Sequence, residues 1–138
     1  MQRKMLNKVA KLLLVGMLFF AFPMNAMAES QENSISPRFT YIVDAENILK
    51  ISGSTATVSC WVNGQYQDAT KAKVIAELQV KSSATNWIPV AIWTDTQDGY
   101  RAAINESHAI NPNNTYRVKA TFTVWEGTQS ETITMYNE

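Results

Sequence analysis

Residues 115–125, TYRVKATFTVW, decide the fold class of this chain. Apolar and polar side chains alternate throughout the stretch, which is the period of a β-strand that buries one face. The apolar set on that face is Tyr116, Val118, Ala120, Phe122 and Val124. The stretch therefore predicts a core strand of an antiparallel sheet, because such strands commonly bury one side only.

Shorter runs of the same kind precede and follow this stretch. Residues 55–62 alternate. Residues 73–81 could form a helix, and Ile75 interrupts their polar face, but their period of two favours a strand. Residues 87–94 would form the returning strand of a hairpin, and Pro89 predicts that this strand lies at a sheet edge, because proline cannot donate a ladder hydrogen bond. The apolar face of the first run is Ala56, Val58, Cys60 and Val62. Weaker strand signals occur at residues 39–43, 47–52, 100–104 and 131–136.

The first 28 residues have the pattern of a secretory signal peptide. A basic start is followed by an apolar run at residues 12–22, and the small residues Ala26 and Ala28 fit a signal peptidase site. The apolar run is about half the roughly 20 residues that a membrane span needs. We therefore expect cleavage after Ala28, secretion to the extracellular space and no stable membrane anchor in the mature protein.

The number and spacing of the strands indicate the architecture. About seven short strands, separated by turn signals over about 100 residues, are typical of an all-β fold, an antiparallel Ig/fibronectin-III-like sandwich. The expected organisation is a signal peptide at residues 1–28, a flexible lead-in at 29–37 and one β-sandwich domain at 38–138.

The formal net charge of zero hides an uneven distribution. Four of the 12 basic residues lie in residues 1–28 and all 12 acidic residues lie beyond them, so the mature domain carries 8 positive and 12 negative side chains, a net charge of −4. A nucleic-acid-binding protein would carry a basic footprint instead. The charge therefore gives no reason to expect nucleic acid as a partner, and overall charge alone would not attract the domain to anionic lipid or wall polymer.

Residues that bind metals or act as nucleophiles are few. Cys60 is the only cysteine, which excludes an intrachain disulfide and a cysteine-based metal site. Its strand-like surroundings predict a buried, inert thiol, with an intermolecular disulfide as the alternative. His108 is the only histidine and falls in a predicted loop at residues 105–114, and the sequence shows no catalytic or metal-binding partner for it.

Three carboxylates, those of Asp95, Asp98 and Glu106, fall near one another in the sequence. Turn chemistry explains them more simply than a glycosidase pair or a calcium site. The sequence contains neither a glycine-rich phosphate loop nor a nucleophile elbow. We therefore expect that the protein is not an enzyme and that it uses no metal or cofactor.

Residues 110–118, INPNNTYRV, have an Ile-x-Pro-x-x-x-Tyr-x-Val spacing that resembles the corner before strand F of fibronectin type III domains. The resemblance implies that Ile110 plugs the core and that the Tyr116 hydroxyl ties down the preceding loop. The chain departs from that family where its core tryptophan would stand, because Cys60 occupies the position and Trp61 points the other way.

A second resemblance covers the whole mature chain. Residues 35–42, ISPRFTYI, soon after a signal peptide, resemble the start of a family of small secreted β-sandwich proteins of Gram-positive bacteria, a family of unknown function. The hairpin at residues 78–93 and the TYRVKAT stretch at residues 115–121 are similar to that family as well. The resemblance implies export and a β-sandwich, and it implies no activity.

Tryptophans supply the candidate binding surface. Trp61 and Trp125 alternate out of phase with the apolar core sets, which predicts that both indoles lie on outer faces of different sheets. Trp125 is expected to neighbour Trp87 or Trp93 on the hairpin. The predicted patch consists of Trp87, Trp93, Arg117, Lys119 and Trp125. The alternative is that these rings only cover sheet edges and hairpin ends.

These observations predict a monomeric, secreted, non-catalytic binding module. A protein-contacting or adhesion-type module at the bacterial exterior is the first expectation. A carbohydrate-binding module that uses exposed tryptophans is the alternative, because flat aromatic faces offer stacking surfaces to sugars and to proteins. The expected partner is thus an unknown protein or polysaccharide.

Overall fold

Seven β-strands make up residues 39–138, the part of the chain that the computed structural model describes. The predicted signal peptide at residues 1–28 and the lead-in at 29–37 lie outside these residues. The strands are β1 (Ile42–Ser52), β2 (Thr55–Gly64), β3 (Lys71–Lys81), β4 (Trp87–Asp98), β5 (Arg101–Ala109), β6 (Tyr116–Glu126) and β7 (Gln129–Asn137).

The strands form two antiparallel sheets. One has three strands in the order β1-β2-β5, and the other has four in the order β4-β3-β6-β7. The predicted all-β, Ig/fibronectin-III-like sandwich is therefore confirmed. Residues 39–138 contain no helix long and apolar enough to cross a membrane.

The core lies between the inward faces of the two sheets. The alternating sets predicted from the sequence for β2 and β6 are buried, with Phe122 and Val58 among the largest side chains that are fully enclosed. Each such side chain contributes about 1.5–3 kcal/mol through burial. The alternation of the sequence thus translates directly into the packed interior.

Gly64 ends β2 at a point where another strand and a loop approach closely. A Cβ atom at this position would lie 2.5 Å from Val124 Cγ1 and 2.7 Å from the Cβ of Ala69. Real Cβ contacts are not this short, so the close packing at this end of the sandwich requires a glycine here.

The corner before β6 has the geometry that its sequence predicts. The backbone N–H of Asn111 donates to the Tyr116 hydroxyl over 3.0 Å. Ile110 is half-buried and packs against the core. The expected tyrosine corner is therefore confirmed.

Two strand expectations are wrong in their extent. β1 begins at Ile42 and joins the end of the predicted run 39–43 to the run 47–52 in one strand, which has an irregularity between Ile42 and Asp44, whereas residues 39–41 precede the strand. β5 continues to Ala109, so His108 lies in a strand and not in a loop. Its pairing with Ala56 of β2 explains the extension, because a ladder partner holds a weakly strand-forming sequence extended.

Pro89 lies on an edge strand, as predicted, because β4 pairs only with β3. The register shifts between Leu78 and Gln79, which face Ala91 and Pro89 respectively. Val90 is the extra residue of this β-bulge, which bends the strand and interrupts its edge.

One open side of the sandwich lies where β1 meets β6 and β7. The Asn47 amide nitrogen donates to the carbonyl oxygens of Val118 and Met135, each over 3.2 Å. The Asn137 side chain returns a 2.7 Å hydrogen bond to the carbonyl of Asn47. We call this side the β1–β7 seam.

A carboxylate completes the β1–β7 seam. Glu131 accepts hydrogen bonds from the backbone N–H groups of Thr40, Tyr41 and Ile42 over 2.8–3.0 Å. Desolvation acts to raise the pKa of Glu131, but the three N–H groups outweigh it, so the pKa lies below its ordinary value.

The other open side lies between β4 and β5, and we call it the β4–β5 seam. Asp95 Oδ2 accepts a 2.9 Å hydrogen bond from the backbone N–H of Ala103. Trp93 meets His108 edge to face, with ring centroids 6.3 Å apart. A hydrogen bond and an aromatic contact thus join β4 to β5 across this seam.

Candidate functional site

The outer face of the four-stranded sheet carries most of the positive charge of the domain. Residues 39–138 contain seven basic side chains, and five of them lie at outward positions of β3 and β6. Those five are Lys71, Lys73, Lys81, Arg117 and Lys119. Glu77 and Asp98 are the acidic residues at outward positions of this sheet, so the face has a net charge of about +3.

The remaining described residues have the opposite balance. They carry 2 basic and 8 acidic side chains. A domain with a negative net charge therefore presents one positive face, which is the outer surface of the four-stranded sheet.

Arg117 is the central residue of an aromatic cluster at one end of this face. Its guanidinium carbon lies 4.3 Å from the centroid of the Trp87 ring and 4.7 Å from that of Tyr136. The three side chains come from three strands, β6, β4 and β7. Cation–π contacts of this kind contribute about 0.5–2 kcal/mol each, depending on solvent exposure.

A network of polar side chains on the neighbouring strand β3 holds the Arg117 side chain in position. Its Nε donates to Gln79 Oε1 over 2.8 Å, and Gln79 is only 6% exposed. Gln79 Nε2 donates in turn to Glu77 Oε2 over 2.9 Å, and Glu77 Oε1 lies 3.8 Å from Lys119 Nζ. We call Trp87, Arg117, Tyr136 and Gln79 the Arg117 cluster.

The hairpin between β3 and β4 places Trp87 in the cluster. The backbone N–H of Ser82 donates to the carbonyl of Asn86 over 2.9 Å, which closes the loop and starts β4 at Trp87. Trp87 then pairs with Lys81, whose Nζ lies 5.5 Å from its ring centroid. The loop thus sets which residue of β4 reaches across β3 to Arg117.

The patch predicted from the sequence is divided. Trp87, Arg117 and Lys119 share one end of the outer face. Trp93 pairs with the buried Ala76 and lies on the inward side, in the β4–β5 seam. A surface made of all five predicted residues does not exist.

Trp125 occupies the opposite end of the outer face. It pairs with Lys71, whose Nζ lies 5.4 Å from its ring centroid, whereas Trp87 pairs with Lys81. Ten residues along β3 separate these two pairs, which corresponds to roughly 33 Å. The expectation that Trp125 neighbours Trp87 or Trp93 is therefore wrong.

Sequence reasoning missed Tyr136, Gln79 and Lys81. Gln79 and Lys81 alternate out of phase with the buried apolar residues of β3, and Tyr136 with the half-buried residues of β7, which is the signal that identifies outward positions. Their placement around Arg117 depends on the pairing of three strands, β3, β6 and β7, and a sequence pattern does not give that register.

Between its two ends, the outer face is lined by threonines. Thr123 and Thr132 share a 2.9 Å hydrogen bond between their hydroxyls, and Thr121 and Thr134 approach to 3.5 Å. These hydroxyls largely satisfy one another. Ile75 pairs with Thr121, so the middle of the face is partly apolar, and Lys73 is its only charged residue among those that the structure describes.

Trp61 lies on the outer face of the three-stranded sheet, as predicted. Its Nε1 donates to Glu46 Oε2 over 2.8 Å, and the Arg101 guanidinium lies 5.4 Å from its ring centroid. This second aromatic–arginine pair is on the opposite side of the domain from the Arg117 cluster. It provides a natural internal comparison for that cluster.

Cys60 is buried, and burial raises the pKa of its thiol to about 11. Its Sγ lies 3.5 Å from Asn47 Oδ1 in the core. The predicted inert thiol agrees with this placement. Within residues 39–138, no group of three histidine, cysteine, aspartate or glutamate side chains is arranged to hold a metal ion.

The sequence matches no family model and no curated protein. Among solved structures, the chain is similar to CsgH of R. palustris, at 16% identity and a TM-score of 0.40, covering 67% of this chain and 89% of that one. It is similar to the E. coli curli protein CsgC at 13% identity and a TM-score of 0.36, over 67% and 95% of the two chains.

A third solved structure is the sporulation control protein Spo0M of Bacillus subtilis, at 12% identity and a TM-score of 0.37. The similarity covers 71% of this chain and 49% of that one, so the match spans about half the length of Spo0M. No functional argument follows from likeness at these levels.

Proposed function

We propose that this chain is a secreted, non-catalytic binding module that contacts a protein partner at the exterior of a Gram-positive bacterium. The observation that supports this proposal is the Arg117 cluster, where an arginine makes cation–π contacts with two aromatic rings on an outer sheet face. The predicted signal peptide and the resemblance of residues 35–42 support the location.

The residue types of the cluster favour a protein ligand. Tryptophan, tyrosine and arginine are the side chains that most often contribute large shares of the binding energy in protein interfaces. Stacking and the bond to Gln79 hold Arg117 in place before a ligand arrives, so less side-chain entropy is lost on binding.

Exposed apolar side chains lie on the neighbouring edge strand. Ile88, Val90 and Ile92 of β4 are 47%, 39% and 58% exposed. Ile88 pairs with Val80 and faces the other way. Trp87, Pro89 and Ile92 pair with outward residues of β3 and share the face of the Arg117 cluster. We call Trp87, Pro89 and Ile92 the apolar strip. Protein interfaces combine an apolar centre and polar surroundings in this way.

Contact through side chains is favoured over addition of a strand to β4. Pro89 lacks a backbone donor, and the bulge at Val90 breaks the regular row of edge groups. An extended partner strand would find few consecutive hydrogen-bonding groups between Trp87 and Ile92. The strip therefore supplies apolar surface more readily than a ladder.

A carbohydrate-binding module is the second candidate, and the exposure of Tyr136 favours it. The Tyr136 side chain is 56% exposed, and Arg117 lies against one face of its ring. A sugar could stack only on the other face. The stacking area is small, which is why a protein partner comes first.

Site-specific photo-crosslinking tests the proposed function. A photoreactive amino acid replaces Val90 beside the cluster or, as a matched control, Ile48 on the opposite sheet, since the two are 39% and 40% exposed. We expect the Val90 position to give a saturable adduct with a protein of the cell exterior, which excess unlabelled chain removes. The Ile48 position should not give that adduct.

Tryptophan fluorescence with soluble polysaccharides and cell-wall fragments tests the second candidate. Saturable quenching that Tyr136→Ala abolishes, together with no protein adduct at position 90, would replace the protein-contacting proposal with the carbohydrate module. Adducts of equal yield at positions 90 and 48 would contradict the protein-contacting proposal as well.

A further inference from the structure

We infer that the partner of the Arg117 cluster is an acidic protein segment, one of whose carboxylates binds the Nη1 and Nη2 side of Arg117. This inference rests on the proposed function and names the chemistry of the partner. It is argued from the hydrogen-bonding groups that Arg117 leaves free, from the charge around it and from the apolar strip beside it.

Arg117 presents unused donors. A guanidinium has five N–H donors in a planar fork that matches a carboxylate. Within residues 39–138, only Nε is engaged, by Gln79, and the ion pair of that region joins Lys119 to Glu77. The guanidinium carbon also lies close to the ring centroids of Trp87 and Tyr136, 4.3 and 4.7 Å away. The edge that carries Nη1 and Nη2 is therefore the part of Arg117 left for a ligand.

The surroundings favour a negative ligand. Lys81 and Lys119 flank Arg117 on the same face, whereas most of the acidic side chains lie elsewhere in the domain. Glu138 directly follows β7, and no ion pair joins it to Arg117 in the described part of the chain. The local field thus opposes the negative net charge of the domain and attracts carboxylates to this end of the face.

The apolar strip distinguishes a peptide from other polyanions. A carboxylated polysaccharide can satisfy Arg117 and the lysines, but it has no side chains to cover the exposed Pro89 and Ile92 of the apolar strip. A protein segment that alternates acidic and aromatic or aliphatic residues satisfies both surfaces. The combination therefore favours a protein segment over an acidic polysaccharide.

Binding of three polymers to residues 29–138, the expected mature protein, tests this inference. The probes are a random copolymer of glutamate and tyrosine, polyglutamate and polygalacturonate, compared at equal carboxylate concentration by biolayer interferometry. We expect the glutamate–tyrosine copolymer to bind most tightly. Raising the salt to about 0.5 M should weaken its binding, because exposed charge pairs are screened.

The same arginine-to-lysine substitution at the proposed site and at a control site provides a matched pair of variants. Arg117→Lys keeps the charge but loses the planar fork, and we expect about tenfold weaker binding of the copolymer. Arg101→Lys makes the same change beside Trp61 on the opposite sheet, and binding should stay within about twofold of the unchanged chain. Unaltered circular dichroism of both variants establishes that each is folded.

Several outcomes would overturn the inference. These are absence of copolymer binding, unchanged binding by Arg117→Lys, equal losses in both variants, and polygalacturonate binding as tightly as the copolymer. A protein adduct at position 90 that neither salt nor Arg117→Lys reduces would also contradict an acidic partner, while the proposed function would stand. Loss of both the adduct and copolymer binding would remove both proposals.

Discussion

Along the β1–β7 seam, six hydrogen bonds from the side chains of Asn47, Glu131 and Asn137 join the sheets, whereas one bond, from Ala103 to Asp95, joins them along the β4–β5 seam of the described residues. The first seam is fixed by directional contacts. The second has the bond from Ala103 and an edge-to-face contact between the rings of Trp93 and His108. We therefore expect substitutions at the β1–β7 seam to lower stability more than substitutions at the β4–β5 seam.

The candidate site draws on strands of both seams, with Trp87 on β4 and Tyr136 on β7. β4 supplies Asp95 and Trp93 to the β4–β5 seam, and it also supplies Trp87 to the Arg117 cluster. Differences between the seams should be measurable as differences in the stability effect of single substitutions.

The largest effect is expected for Asn47→Leu. Asn47 is 6% exposed, and the substitution removes the donors to Val118 and Met135 as well as the acceptor near Cys60. We expect a loss of about 2–3 kcal/mol in the free energy of unfolding, because buried polar groups lose their partners. Urea denaturation measures this loss, provided that the m-value stays the same in the variant. Asn105→Leu, on the exposed face of β5, is the control and should change the free energy by less than about 0.5 kcal/mol.

Glu131→Gln should come next, at about 1–2 kcal/mol near neutral pH, because three charge-assisted bonds are weakened. The pKa of Glu131 is lower in the folded state than its ordinary value. Its stabilising contribution is therefore complete above the pKa of an unfolded glutamate, about 4.3, and is lost as the pH falls toward the folded pKa.

Unfolding measured between about pH 7 and pH 3 checks this sign. The difference in stability between the unchanged chain and Glu131→Gln should shrink as the pH falls. Glu106→Gln, an exposed carboxylate of β5, serves as the control. A difference that grows toward acid pH would contradict the assignment of Glu131 as the acceptor of these N–H groups.

Asp95→Ala should have the smallest effect of the three, about 0.5–1 kcal/mol, because one hydrogen bond between half-exposed groups is lost at the β4–β5 seam. The same urea measurement applies. A loss as large as that of Asn47→Leu would show that the two seams are equally fixed, and the comparison would then fail.

The native Cys60 thiol serves as a probe of opening of the fold, because its reactivity can be measured without a substitution that changes stability. Its pKa of about 11 and its burial keep it unreactive toward a thiol reagent at about pH 8 while the fold is closed. Labelling should be faster in Asn47→Leu than in Asp95→Ala, by about tenfold for each 1.4 kcal/mol between them if labelling requires global opening. Equal rates would indicate that the thiol is reached by a local route.

The periodicity of the sequence predicted the fold and its core because the alternation of buried and exposed residues can be recognised within a single strand. The alternating residues of β2 and β6 needed no partner to be recognised, and Pro89 indicated an edge through its own missing donor. Tyr116 was identified from a local spacing of the same kind. Each of these features is determined within one segment of the chain.

The candidate site was predicted only in part because it depends on register. Trp87 and Arg117 were named from sequence, but Tyr136 joins them through pairings across three strand interfaces and after a bulge in β4. Glu131 accepts from residues about 90 positions earlier, a contact that no local pattern reports. Trp125 was assigned to the wrong end for the same reason.

Ten residues of β3 separate the Trp87 end of the outer face from the Trp125 end, so the length of a ligand decides whether it contacts one end or both. A ligand that touches both ends must extend over roughly 33 Å, about ten residues of extended chain. Shorter ligands reach one end alone. Affinity measured against ligand length should therefore rise in a step near that length, since the second contact becomes intramolecular once the first has formed.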